Sequence, residues 1–216
     1  MIVLALGGSV FFAYNPKRFA EVLNEYGGKI AIVVGGGKTA RDYISLAREM
    51  GGDETTCDMI GIEVTRINAR ILTIALKDCS PIIPKDFEEA YLLLKTHKKI
   101  VMGGTFPGHT TDATAALLAE YLRAKRLLIA TAVDGVYDKD PKKSRDAVKF
   151  DKLSYDKLVE IVSKTEAKAG GSSVIDLLAA KIIQRSGIET LVFKGSPENI
   201  RRALKGEKVG TIVSQS

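Results

Sequence analysis

Apolar runs at Ile2–Leu6, Ile30–Val34 and 100–102 each break at a cluster of glycines: Gly7-Gly8, Gly35-Gly36-Gly37 and Gly103-Gly104. This repeated pattern constrains the fold more than any other feature of the chain. A run of apolar residues with no polar alternation reads as a strand buried on both faces, which belongs in a parallel sheet. Glycines at its carboxyl end let the backbone come close to a ligand or to another backbone, and Gly7-Gly8-Ser9 reads as a backbone-only loop. One such cluster is an ordinary turn, whereas three at equivalent positions predict a ligand along one rim of the sheet.

The rest of the pattern agrees. Helical spacing is read over 16–26, from Gly37 to about Met50, over 53–77, over 86–96 with Asp86 near its N-cap, over 154–163, over 174–185 and over Pro197–Leu204. Further buried strands are read at 127–131, 190–193 and Thr211–Val213, with a short one at 81–84. Strands alternating with helices predict an α/β fold, a mainly parallel sheet of about eight strands covered on both faces. With no repeat, low-complexity tract or linker, 216 residues form a single domain, 1–216. In the 53–77 helix, Ile60, Val64, Ile67, Ile71 and Ile74 make a seam that either lies on the sheet or meets another subunit.

Composition narrows the partners. A hydrophobic content of 45% and a charged content of 27% are those of a soluble globular protein. The net charge of +6 is spread along the chain and Trp is absent, which fits a small polyanion better than nucleic acid. Cys57 and Cys79 have no metal-like spacing and read as reduced, buried residues of a cytoplasmic protein. The apolar start, MIVLALGGSV, lacks a basic region and a cleavage site and is too short to span a bilayer, so no membrane association is expected.

The chemistry is expected at VMGGTFPGHTTDATAA (101–116), where a strand passes through a glycine-rich loop into a helix with Asp112 in its first turn. Helix N-termini and threonine hydroxyls both suit phosphate oxygens. Two familiar phosphate motifs fail at the middle cluster. Gly37-Lys38-Thr39 resembles the end of a Walker A loop, but Ile32 stands where that motif needs glycine. Gly35, Gly37 and Ala40 fit GxGxxA, yet Asp53 and Glu54 follow a helix instead of a second strand, so a dinucleotide site is poorly supported. There is no HExxH or GxSxG, and His109 is the one histidine in a plausible site, His97 lying in a lysine-rich helix end.

The ordered set LGGSV (6–10), VVGGGKTARDYI (33–44), CDMIGIEVTRINA (57–69), MGGTFPGHTTDATAALLAEYL (102–122), AVDGVYDKDPKK (132–143) and GGSSVIDLLAAKII (170–183) resembles the amino acid kinase family, specifically the archaeal type of uridylate (UMP) kinases. The resemblance implies a three-layer αβα sandwich that transfers the γ-phosphoryl of ATP to UMP, with magnesium and without a metal site of protein side chains. The N-terminal part is then mainly the acceptor site and the C-terminal part mainly the donor site. It implies UMP contacts at Gly36, Asp58, Thr105, Phe106, Pro107, Gly108, His109, Thr110 and Thr111. The implied ATP contacts are Gly8, Ser9, Gly37, Arg41, Thr131, Tyr137 and Asp140. Asp112 matches the acidic residue that orients catalytic cations, and dimers assembled into hexamers are implied as well. Other acceptors, such as isopentenyl phosphate, and a non-catalytic nucleotide or oxyanion carrier are the alternatives.

Two positions depart from the pattern. Ala5 stands where many relatives have lysine, and Lys38 is the first candidate to supply that charge, followed by Lys168 and Lys181. Ala132 stands where relatives often have asparagine, which removes a polar contact on the donor side.

Overall fold

The computed structural model describes residues 1–141, 143–166 and 174–215. Ile2–Leu6 (β1) pairs in parallel with Ile30–Val34 (β2) on one side and with Arg126–Thr131 (β4) on the other. Lys99–Met102 (β3) extends the sheet beyond β2, and Thr190–Lys194 (β6) extends it beyond β4, both in parallel. Thr211–Val213 (β7) runs antiparallel to β6, and Lys152–Leu153 (β5) closes the edge, giving the order β3-β2-β1-β4-β6-β7-β5. The four strands β1, β2, β3 and β4 are buried almost throughout, as their uninterrupted apolar character demands.

Alternate strand residues feed two cores. Val3, Ala5, Val33, Ile100 and Ile129 face helices Phe87–Thr96 (α5), Thr111–Tyr121 (α6), Tyr155–Glu166 (α7) and Leu177–Ser186 (α8). Leu4, Leu6, Ile32, Leu128 and Phe193 face Gly8–Ala13 (α1), Pro16–Glu25 (α2), part of Glu54–Ile74 (α4) and Pro197–Leu204 (α9). Gly37–Glu49 (α3) packs on α4 and α1. The result is the three-layer α/β sandwich, with a fully buried aromatic cluster of Phe11, Phe19 and Phe193 on the second face.

Helix boundaries follow local chemistry. Asn15 accepts from the Lys17 amide at 3.0 Å with Pro16 as first helical residue, and Ser196 accepts from Asn199 at 3.1 Å ahead of Pro197. Gly187, at φ 62°, ends α8 in the left-handed conformation that glycine adopts without a Cβ clash.

Three sequence expectations need correction. The 81–84 segment holds no strand: an isolated bridge joins Cys79 to Lys99, and Pro81 and Pro84 have no N–H to extend it, while the two-residue β5, absent from the sequence reading, brings the described strands to seven. Gly8-Ser9 opens a helix where a bare loop was expected. Cys79 is half-buried; both cysteines are free thiols. No described helix is long and apolar enough to cross a membrane.

Candidate active site

All four central strands are parallel, so their carboxyl ends share one rim, and the chain order reverses at β1, between β2 and β4. Open α/β sheets bind ligands at such a reversal. There the first two glycine clusters meet. A Cβ on Gly8 would lie 2.0 Å from the Gly37 nitrogen, and one on Gly35 would lie 2.6 Å from the Gly8 nitrogen. Gly37 has φ +66°, with the Gly8 carbonyl oxygen 2.7 Å from where its own Cβ would stand. Backbone touches backbone at this point, and only glycine allows it. Neither Gly7 nor Gly36, the N-caps of α1 and α3, offers a side-chain cap.

One face of α4 fastens the second and third glycine loops. The Asn68 side chain, 3% exposed, donates through Nδ2 to the Gly35 carbonyl at 2.9 Å and to the Gly36 carbonyl at 3.4 Å. Thr65, one turn earlier, accepts from the Gly104 amide at 2.7 Å. Gly103 must be glycine for this contact, since a Cβ would sit 2.3 Å from the Thr65 hydroxyl. Asp58, two turns further back, accepts from the Gly108 amide at 2.7 Å.

These bonds revise the expected anion site. The Gly104 and Gly108 amides are committed to α4, and the His109 amide bonds the Phe106 carbonyl at 3.2 Å. Thr110 is committed as well, capping α6 at the Ala113 amide (3.0 Å) and donating to Asp176 Oδ2 at 2.5 Å. Asp176 in turn caps α8 at the Ala179 amide, 2.9 Å away. The N-termini of α6 and α8 are thus tied hydroxyl to carboxylate across 66 residues of sequence. The Thr111 hydroxyl lies 2.9 Å from where a Gly35 Cβ would stand, and the buried Nδ1 of His109 has no protein partner. Phe106 is exposed and its ring lies 6.0 Å from that of His109. Pro107 and Gly108, the latter at φ +81°, make the loop tip.

Asp112 lies in the first turn of α6. Burial, and secondarily the neighbouring charge of Asp176, push its carboxyl up to about 7. A carboxyl so placed ionises readily once a cation approaches.

At the end of β4, Thr131, Tyr137 and Asp140 line a cleft with Val136, Ile161 and Val174. Tyr137 donates to Asp134 at 2.7 Å, which holds the Asp134 carboxyl below its ordinary value, and Lys149 lies 3.5 Å from the same carboxylate. The Val136 amide is fixed by Thr211 at 2.9 Å. Ser9 is exposed on α1 and Arg41 is exposed one turn into α3. Lys38 is turned to solvent and pairs with Asp42 at 2.6 Å, its side chain 82% exposed. Lys181 is exposed on α8, and Lys168 lies outside the described residues. Ala5 is fully buried in β1 between Val33 and Ile129. The structure therefore brings Gly8, Gly36, Gly37, Asp58 and 105–112 to one rim. It adds Thr65, Asn68 and Asp176, which the sequence reading did not single out.

A model of the amino acid kinase family matches residues 1–194. The chain belongs to the amino acid kinase family. A uridylate kinase from Archaeoglobus fulgidus is 54% identical over 217 residues, covering 99% of each chain, and one from Methanocaldococcus jannaschii is 52% identical over 98% of each. The crystal structure of the Archaeoglobus fulgidus uridylate kinase superposes with a TM-score of 0.92 at 52% identity, again over 99% of both chains.

Proposed function

We propose that this chain is a uridylate kinase that reversibly transfers the γ-phosphoryl group of ATP to UMP, giving UDP and ADP, in the synthesis of UTP and CTP. The observation that carries the reading is the 103–112 loop, fastened to α4 and α8 and meeting the first two glycine clusters at the sheet's reversal point. Full-length relatives named uridylate kinase support it.

In this reading UMP occupies the N-terminal side. Gly36, Asp58 and residues 105–111 surround it, with Thr105, His109 and Thr111 facing its phosphate. Thr110 acts through the α6 cap, and Asp58 offers its second carboxylate oxygen to the ribose while the first holds Gly108. ATP lies against Gly8, Ser9, Gly37 and Arg41, with its base toward Thr131, Tyr137 and Asp140. Phosphoryl transfer needs positioning and neutralisation more than covalent help. A UMP phosphate oxygen is already an ionised nucleophile, so no histidine base is required. Among the described residues no group of three or more His, Cys, Asp or Glu could hold a metal. Magnesium fits as the counter-ion of the ATP phosphates, a mode needing only one or two carboxylates, and Asp112 would be the carboxylate to face it. When bound it neutralises the charge that develops on the transferring group. Asp112 orients the cations at that point. Lys38 can join them by exchanging Asp42 for a phosphate.

Ile67, Ile71 and Ile74 are 59%, 42% and 82% exposed, while the buried face of α4 runs through Gly61, Val64, Asn68 and Leu72. The seam thus leaves the sheet in its second half, and we assign that half to a homo-oligomer contact, in a hexamer built of dimers. The reaction belongs in the cytoplasm, where both nucleotides are found.

The test is incubation with ATP, magnesium and, separately, UMP, CMP, AMP or isopentenyl phosphate, with products resolved by ion-exchange chromatography. UDP from UMP is expected in large excess over any other product. A dominant different product, or ATP binding without turnover, overturns the assignment.

A further inference from the structure

Asn68 is a buried side-chain amide in the middle of a helix, where an asparagine contributes nothing to helix propensity. Its two acceptors are the carbonyls of Gly35 and Gly36, which lie 33 and 32 residues away in sequence. In a trans peptide, the carbonyl and the N–H of the next residue point to opposite sides of the chain. No peptide bond here is cis. Drawing the Gly35 carbonyl toward α4 therefore turns the Gly36 N–H away from α4, and drawing the Gly36 carbonyl does the same for the Gly37 N–H. Both N–H groups then face the rim where Gly8 and Thr111 converge. The N-terminus of α3 carries no side-chain cap, so nothing from the protein's own side chains competes for that direction.

We propose that Asn68 is a positioning residue for phosphoryl transfer, holding the Gly36 and Gly37 amides toward the transferring phosphate. The proposal rests on the kinase reading above for the identity of the ligand, though not for the geometry. Thr65 lies one turn away on the same face and holds Gly104, so α4 fixes the spacing of the acceptor loop and the middle glycine loop as a single rigid edge. A carbon-for-nitrogen change at Asn68 frees the two peptides to rotate without touching any ligand-facing atom.

The experiment compares wild type with Asn68→Leu and Asn68→Val, neither of which carries a side-chain donor. UDP formation is measured over full ranges of UMP and ATP, and unfolding is followed for each variant. We expect kcat to fall at least ~10-fold while the KM for UMP stays within about threefold, since the lost donors act mainly on the transferring group. A wild-type kcat, or a loss that disappears at temperatures where the variant is fully folded, overturns the proposal. If neither variant folds, titrating wild type with inorganic triphosphate and magnesium decides it through the Gly36 and Gly37 amide NMR resonances. Shifts concentrated at those two amides support it, and unmoved resonances overturn it. Wild type that shows those shifts but forms no UDP counts against the kinase reading alone.

Discussion

Asp112 should reduce the stability of the unliganded protein, and the cost can be worked from its surroundings. Burial together with the Asp176 charge raises the carboxyl from its ordinary 3.8 to about 7. The native state therefore holds a proton that the unfolded chain releases between about pH 4 and pH 7, so stability falls as pH rises through that window. At ~1.4 kcal/mol per pH unit the full penalty is ~4 kcal/mol, and local relaxation around a partly accessible group reduces it to roughly 2–4 kcal/mol. Asp112→Asn removes the titration and keeps the shape. Its gain over wild type should be complete above about pH 7 and shrink as pH falls toward the unfolded value. For a domain of this size that corresponds to a rise in Tm of roughly 5–10 °C at pH 8. Thermal unfolding of both proteins at pH 5 and pH 8, without ligand, measures it. The same variant should lose most UDP formation, because an amide cannot orient cations. Equal stability at pH 8, or a gain that does not change with pH, would refute the electrostatic reasoning; near-normal turnover would remove Asp112 from the mechanism.

Asp58→Ala should raise the UMP KM about tenfold or more with a smaller effect on kcat, since it loses both the loop fastening and a ribose contact; an unchanged KM in steady-state assays would count against the assignment. Thr110→Val should destabilise by roughly 1–3 kcal/mol in denaturant unfolding, the loss of one cap and of the bond to Asp176, with Thr110→Ser close to wild type. Ile71→Glu should leave the fold intact and reduce the size of the assembly in light scattering, and an unaltered assembly would place the subunit contact elsewhere.

Much of the architecture was legible because it depends on short-range chemistry. The bounds of α9 follow from Ser196-Pro197, and those of β1 and β2 follow from unbroken apolar runs that meet glycine. What was hidden depends on contacts distant in sequence. Nothing near Asn68 or Thr65 marks them, because their partners lie 32–39 residues away. Asp176 falls inside the helix read over 174–185, whereas it caps a helix that begins at Leu177, and its link to Thr110 exists only once α6 and α8 converge. The six-residue α1 starts at a glycine pair, which ordinarily signals a turn. The 81–84 segment has strand-like composition between two prolines that cannot complete a ladder. The Lys38–Asp42 pair, by contrast, follows the i,i+4 rule for helix surfaces and was available from the sequence.

The central claim is that the two glycine-bounded sites exchange a phosphoryl group between ATP and UMP. Phosphorus NMR of the full chain with UMP, ATP and magnesium tests it directly, because the products carry resonances distinct from the substrates. The account predicts UDP and ADP growing in equal amounts as UMP and ATP decline, with the reaction reversing when UDP and ADP are supplied instead. ATP converted to ADP and free phosphate with UMP untouched would contradict it.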